Sequence, residues 1–221
     1  QFMEANTDVG ICGSWVEIFG LENEVIKYPE NHDEIFVNLL FYSPISHPAA
    51  IYRSSIFKDF NLCYNDLFFK AEDYKFWFDA SKVTKLHNIP LILLKYRRHL
   101  FQDGFVSLDR NKESTKKVKL EVLNLLVDKL EIQEKEEYLK IFSNQPTLNI
   151  NTLNCILKIV KENSQKEIFN QSLLKRKFAN IWKNCFLESR QLGFREIRLF
   201  STHSLSKKAN FTAKQKLAVL S

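Results

Sequence analysis

Apolar residues follow two rhythms along this chain, and the change between them falls near residues 107–112. In the first part, short apolar runs are broken by glycine or polar residues. Asp8 to Trp15 (DVGICGSW) alternates weakly around Gly10 and Gly13, with Gly20 beyond, which predicts a strand that another backbone approaches closely. Glu24 to Tyr28 predicts a second short strand. Asp33 to Phe41 places Ile35, Phe36, Leu39 and Leu40 at helical spacing. Ala49 to Arg53 reads as a short buried strand, and Ser54 as the cap of a brief helix through Phe60. Residues 72–83 read as a helix with an acidic start. Leu91 to Tyr96 reads as a strand buried on both faces, with Pro90 fixing where it begins.

Beyond this point the period becomes helical. Leu120, Leu123, Val127 and Leu130 recur on one face, as do Leu153, Ile156, Leu157 and Val160. Ser164-Gln165-Lys166-Glu167 has the form of a capping box opening a long helix that carries Phe169, Leu173, Phe178, Ile181, Trp182 and Phe186. Thr212-Ala213-Lys214-Gln215 repeats that logic near the end. The expected architecture is mixed α/β over residues 1–107, followed by an all-α helical extension over 108–221.

Composition narrows the class. Hydrophobic residues make up 45%, enough for a packed core and against global disorder. Glycine and proline number only 5 each, too few turn formers for an all-β sandwich. The net charge of +6 is concentrated in the second half, where Lys112, Lys116, Lys117, Lys119, Lys175, Arg176 and Lys177 lie. That bias suits anionic partners or a solvated helix face. Cys12, Cys63, Cys155 and Cys185 form no CxxC or CxxH pair, which argues against a structural zinc site and for free thiols in a reducing compartment. No apolar run reaches the ~18–20 residues that a bilayer span needs, and no signal peptide opens the chain. The first residue is Gln rather than Met, which suggests a partial sequence.

The candidate chemistry centres on Ala71-Glu72-Asp73-Tyr74-Lys75-Phe76-Trp77. At roughly 100° per residue, Phe69, Phe76, Trp77 and Ala80 share one apolar arc, and Asp73 falls inside it. A carboxylate there is withdrawn from water, which is costly unless the charge is paired or used. Glu72 is explained by the helix dipole alone.

Three further motifs flank this helix in order: Ser46-His47-Pro48-Ala49-Ala50 before a strand ending in Arg53; Tyr64-Asn65-Asp66 leading into Phe69-Lys70-Ala71-Glu72-Asp73; and Leu93-Leu94-Lys95-Tyr96-Arg97-Arg98-His99, followed by Gln102 and Ser107. The ordered set over residues 1–107 resembles the second half of inverting family 2 glycosyltransferases, which have the type A fold. The opening, Gln1 to Asn6 and then Val9 to Ser14, resembles the stretch after that family's metal-binding aspartate motif.

The resemblance implies that Asp73 is the general base on the acceptor hydroxyl, with Glu72 its paired acid. His99 would lie in a loop closing over the nucleotide diphosphate and ligate a divalent ion. Arg97, Arg98 and Gln102 would bind substrate, the arginines beside the diphosphate, and Trp15 and His47 would line the donor or acceptor cleft. It implies a nucleotide-sugar donor, a saccharide, lipid or protein acceptor, and Mg2+ or Mn2+ held mainly by a nucleotide-binding half that this chain lacks. The expected protein is therefore a transferase fragment, inactive alone, cytoplasmic, with peripheral membrane contact through its helices and no nucleic-acid partner. Two alternatives stand beside it: a non-catalytic basic helical interaction module, and a retired transferase used as a scaffold.

Overall fold

A computed structural model describes residues 1–99, 108–142 and 149–188. The chain divides into two compact units, residues 1–124 and 125–221.

The first unit is built around strand β1 (Val9–Gly20), which runs longer than its weak alternation predicts. One edge of β1 pairs in parallel with β4 (Lys85–Arg98) along nearly its whole length. The other edge takes two short antiparallel strands, β2 (Glu24–Ile26) at Val16–Ile18 and β3 (Ile51–Tyr52) at Ile11–Cys12. The sheet is therefore mixed. Parallel pairing needs a crossover, and the segment between β1 and β4 supplies it. That segment holds α2 (His32–Asn38), a 3-10 turn at His47–Ala49, α3 (Ser54–Phe60), a second 3-10 turn at Asp66–Phe68 and α4 (Glu72–Ala80). A short helix, α1 (Phe2–Ala5), precedes β1. The Arg53 guanidinium holds that end of the chain by donating to the carbonyls of Val9 (2.9 Å), Asn6 (3.3 Å) and Met3.

Several local expectations change in three dimensions. Arg53, not Ser54, sits at the N-cap of α3, and its side chain makes no cap bond. β3 is exposed rather than buried, with Ile51 at 60%. Pro90 lies inside β4 rather than before it. Strands tolerate proline at irregularities, and the register slips here: Ser14 faces Ile89, but Trp15 faces Ile92. Leu91 to Tyr96 is bare where burial on both faces is expected, with Leu91 and Leu93 about 60% and 62% exposed. β4 has β1 as its one strand partner among the described residues.

The core of this unit collects Ile11, Val16 and Ile18 from β1, Ile35 from α2, Leu39, Leu40 and Ile45 after it, Phe76, Trp77 and Ala80 from α4, and Leu86 from β4. Asn88 of β4 is buried among them. Its amide donates to the carbonyls of Pro29 (2.7 Å) and Pro44 (3.0 Å), and its backbone N–H donates to Glu30 O (2.9 Å). Gly13 makes room for it, since a Cβ there would lie 2.2 Å from Asn88 Oδ1.

The sequence places the division near 107–112. The compact units divide after the next helix, α5 (Leu108–Asn124), which packs on α4 and the Asp66–Phe68 turn. Lys75 ties α4 to α5 by bridging Asp79 (2.6 Å) and Glu121 (3.1 Å). The helical period that runs on through Val127 and Leu130 outlasts the helix, which stops at Asn124.

The second unit is helical among its described residues: α6 (Ile132–Ile141), α7 (Ile150–Lys166) and α8 (Gln171–Glu188), each packing on the next. Tyr138, Ile156, Ile159, Leu174, Phe178 and Trp182 are fully buried. The Ser164–Glu167 motif does not open a helix. Ser164 lies in the last turn of α7 and donates to Lys161 O (2.6 Å), and Glu167 takes the left-handed C-cap with φ +53°. Buried Asn163 organises the connection instead, accepting from Phe169 N–H (2.7 Å) and donating to Phe169 O (2.9 Å). Asn170 Oδ1 caps α8 through the N–H groups of Ser172 and Leu173 (both 3.2 Å). The side chain of Phe186 and the Thr212–Gln215 motif lie outside the described residues. Among the described residues, no helix is long and apolar enough to cross a membrane, and none of the four cysteines forms a disulfide, three of them being buried.

Candidate active site

The site grows from the start of α4. Lys70, at φ +64°, turns the chain through the left-handed region, and Ala71 then takes the N-cap without a side-chain cap bond. The first helical residues are therefore Glu72 and Asp73, where the dipole favours carboxylates. Burial of Tyr74, Phe76, Trp77, Phe78 and Ala80 is wider than one arc, and it fixes the rotation of the helix. The Tyr74 hydroxyl adds an anchor by donating to Leu39 O. Phe69 leaves the predicted arc because it precedes the Lys70 turn, and it is about half exposed.

This rotation leaves Asp73 half-buried. Desolvation raises its pKa above the usual carboxylate range, opposed by the Tyr74 N–H bond to Oδ1 (2.7 Å) and by the His47 charge. The loss of hydration outweighs both, so Asp73 is a stronger base than a surface aspartate. Its charge also acts on the phenols of Tyr28 and Tyr64, whose pKa values rise chiefly through burial.

Beside Asp73 lies a cavity of about 490 Å³ lined by His47, Tyr64, Asn65, Asp66, Phe69, Lys70 and Glu72. Asp73 is not itself among the lining residues; Glu72 is. His47 stands in the His47–Ala49 turn, with Pro48 inside that turn. Its Nε2 is 3.1 Å from the Tyr64 hydroxyl, and its ring lies edge-on to Trp77 at 6.1 Å. The turn is positioned by Asn88, which holds Pro44 two residues before Ser46.

The remaining predicted residues lie elsewhere. Trp15 on β1 donates its indole N–H to Tyr28 O (3.1 Å) and stacks under Lys27; it does not line the cavity. Arg97 and Arg98 end β4 opposite Phe19 and Gly20. Arg98 is paired with Glu22 and Glu24 of the adjoining hairpin, so its guanidinium is engaged within the protein. Arg97 is exposed, and so is His99 just after the strand. Gln102 and Ser107 lie outside the described residues. Among the described residues, no group of three or more His, Cys, Asp or Glu side chains is placed to hold a metal ion.

The sequence alone gives Tyr64 no role and does not mark Asn88. Their signal is spatial. The Tyr64–His47 pair is 17 residues apart and Asn88 binds partners 44 and 59 residues away, so no local pattern marks them.

The chain is similar to proteins carrying glycosyltransferase names. Over 146 residues, 61% of its length, it is 32% identical to a protein of Haemophilus influenzae named an uncharacterized glycosyltransferase, 45% of which is covered. Over 114 residues, 48% of its length, it is 32% identical to the bifunctional glycosyltransferase pgtA of Dictyostelium discoideum, 14% of which is covered. The chain thus spans less than half the length of these curated relatives. No family model and no solved structure matches it. The similarity supports a glycosyltransferase-type sequence, and the mixed α/β first unit is compatible with part of such a fold.

Proposed function

We propose that the chain is the acceptor-side part of an inverting, nucleotide-sugar-dependent glycosyltransferase of the family 2, type A kind. The observation that carries this reading is Asp73: a half-buried carboxylate made more basic by desolvation, beside a cavity with aromatic and hydrogen-bonding walls. In the reaction, the acceptor oxygen attacks the anomeric carbon of the donor. The bond from that carbon to the diphosphate oxygen breaks, and the nucleoside diphosphate leaves with the electron pair. The acceptor proton passes to the Asp73 carboxylate. A single displacement inverts the anomeric centre. A base of this kind is worth ~10²–10⁴ in rate.

The cavity suits a polyhydroxylated acceptor, a glycan or glycolipid. Glu72 and Asp66 can accept hydroxyl protons, and exposed Phe69 offers an apolar face to a sugar ring. The donor diphosphate would meet Arg97 and, if its carboxylate partners release it, Arg98. A divalent ion would neutralise that diphosphate, and its ligands would come chiefly from outside the described residues. The setting we propose is the cytoplasm, with the basic helices touching a membrane surface.

The test is Asp73→Asn and Glu72→Gln in the intact protein, following nucleoside-diphosphate release over a panel of nucleotide sugars with a saccharide acceptor pool. Asp73→Asn should lower kcat by ~10²-fold or more with donor binding intact. Glu72→Gln should act mainly on acceptor KM. Wild-type kcat in both variants would reduce the acidic pair to a helix-start device.

A further inference from the structure

Among the described residues, three that are not glycine take the left-handed backbone: Asn61, Lys70 and Glu167. Two of them end helices, Asn61 as the C-cap of α3 and Glu167 as the C-cap of α7, where this conformation is common. Lys70 caps nothing. It stands between the Asp66–Phe68 turn and α4, at φ +64°, and its side chain lines the cavity. Glycine would hold this backbone without the Cβ clash that lysine carries. Strained backbone of this kind gathers at functional sites. We propose that Lys70 selects the acceptor: it takes an acidic saccharide, a sugar ring bearing a carboxylate or phosphate, and turns the ring's hydroxyls toward Glu72 and Asp73. This rests on the reading of the cavity as the acceptor site.

The charges on the wall give the orientation. Among the described residues lining the cavity, Lys70 supplies the ammonium, and Asp66 and Glu72 supply carboxylates. Elsewhere in this unit carboxylates are matched by lysines, as Asp8 is by Lys85 (2.8 Å), Glu17 by Lys95 (3.1 Å) and Asp79 by Lys75 (2.6 Å). Among the described residues Asp66 and Glu72 form no ion pair, which leaves their oxygens to accept from sugar hydroxyls. An anionic substituent is repelled by these acids and attracted by Lys70, so an acidic ring enters one way round. Repulsion of the wrong pose contributes to specificity as much as attraction of the right one.

The neighbours of Lys70 supply the rest of the seat. Phe69 lines the cavity and is about half exposed, and Lys70 Nζ lies 5.4 Å from the centre of its ring. A sugar ring resting on Phe69 therefore brings its substituents to that ammonium. Lys70 and Asp73 are three residues apart, so their Cα atoms stand within about 11 Å. The two side chains can address opposite edges of one ring. An ammonium is a compact charge that serves carboxylate and phosphate alike, so the geometry defines an anion on a sugar ring rather than one particular acid.

The test titrates the full chain with glucose, glucuronate and glucose 6-phosphate, which share one ring and differ at C6, and follows the Ala71 and Glu72 amide shifts by NMR. At least one of the acids should bind about tenfold tighter than glucose, the effect of one hydrogen bond to a charged group. The tighter of the two names the anion. Lys70→Gln keeps the left-handed strain and removes the charge; Lys70→Gly removes both. In each variant the acids should fall to the affinity of glucose or below it, with glucose unchanged. The Tm of Lys70→Gly should not fall, because glycine suits this backbone. Equal binding of acids and glucose by wild type, no binding of any of the three, or an acid preference that survives in Lys70→Gln overturns the proposal. So does a fall in Tm in Lys70→Gly, which would make the side chain a structural prop. A loss of uridine diphosphate affinity in Lys70→Gln, with acidic-sugar binding unchanged, places the lysine at the donor and overturns it too. These readouts need no turnover, so they stand apart from the activity of Asp73→Asn: a failed preference for acids leaves the base reading intact, and the reverse also holds.

Discussion

Removing the Asn88 amide should both destabilise the first unit and loosen the turn that carries His47. Asn88→Ala strands two carbonyls. That of Pro44 is in the buried interior, and that of Pro29 is partly buried and open to replacement by water. A buried acceptor left without a donor costs about 1–3 kcal/mol, so Pro44 carries the larger share. Against this, Asn88 Oδ1 is itself buried with no partner among the described residues, and its removal returns part of the cost. The net loss should be about 2–3 kcal/mol. Gly13→Ala should cost a similar amount by another route. Its Cβ would lie 2.2 Å from Asn88 Oδ1 and 2.9 Å from Ile45 Cγ2, which pushes the amide off both carbonyls. The two costs should not add. With Asn88 already alanine, the methyl at position 13 meets only Ile45, and the coupling should be about 1–2 kcal/mol, within the range for residues in contact. Native-state hydrogen exchange on β1 and α4 amides reads the opening free energy of this unit separately from the helical one. Additivity within about 0.5 kcal/mol would show that Asn88 and Gly13 do not share the contact, and the account of how the His47 turn is held would fail with it.

Asp73→Asn should be more stable than wild type at neutral pH, whatever it does to activity. Desolvation raises the folded pKa of Asp73 above its unfolded value, so its ionisation costs stability, and that cost grows as pH rises from the unfolded pKa through the folded one. The gain, read as a difference in Tm, should vanish in acid, where both states bind the proton; a gain that persists there would point to packing instead. Leu91→Lys with Leu93→Glu should suppress self-association, seen by sedimentation velocity, and lower Tm little, because both side chains are mostly exposed. A large drop in Tm would mean they are core residues. In the second unit, Asn163→Ala should cost about 2–4 kcal/mol by freeing both backbone groups of Phe169, while Glu167→Gly should gain up to about 1 kcal/mol at a left-handed position; urea unfolding of each variant separates the two. Equal and small effects would place the α7–α8 connection outside the cooperative unit.

Much of the fold can be read along the chain because it rests on near-neighbour spacing. The rhythm of Phe76, Trp77 and Ala80 identifies α4, and the same spacing places Asp73 against apolar residues before any partner is known. The shift from broken apolar runs to helical period foretells a sheet-bearing part followed by helices. Those inferences survive because helix period and helix dipole act within a few residues. Where competing local signals meet, spacing alone misleads. Ser164–Glu167 has the form of a capping box, yet Asn163 and Asn170 manage that turn because their side chains reach backbone groups that the fold brings to them.

What only the tertiary structure decides is which groups share a space. His47 meets Tyr64, Arg98 is drawn to Glu22 and Glu24, and Asn88 joins two loops to β4. The exposure of Leu91 and Leu93 belongs here too, since an apolar run states only that burial would be favourable. Hydrogen bonds and desolvation act over a few ångströms, and in this chain they join residues as far apart in sequence as Asp8 and Lys85, 77 positions from one another. The chain's pattern thus determines that a carboxylate is held against an apolar helix face; the packing of distant segments determines which ring, which hydroxyl and which cavity stand beside it.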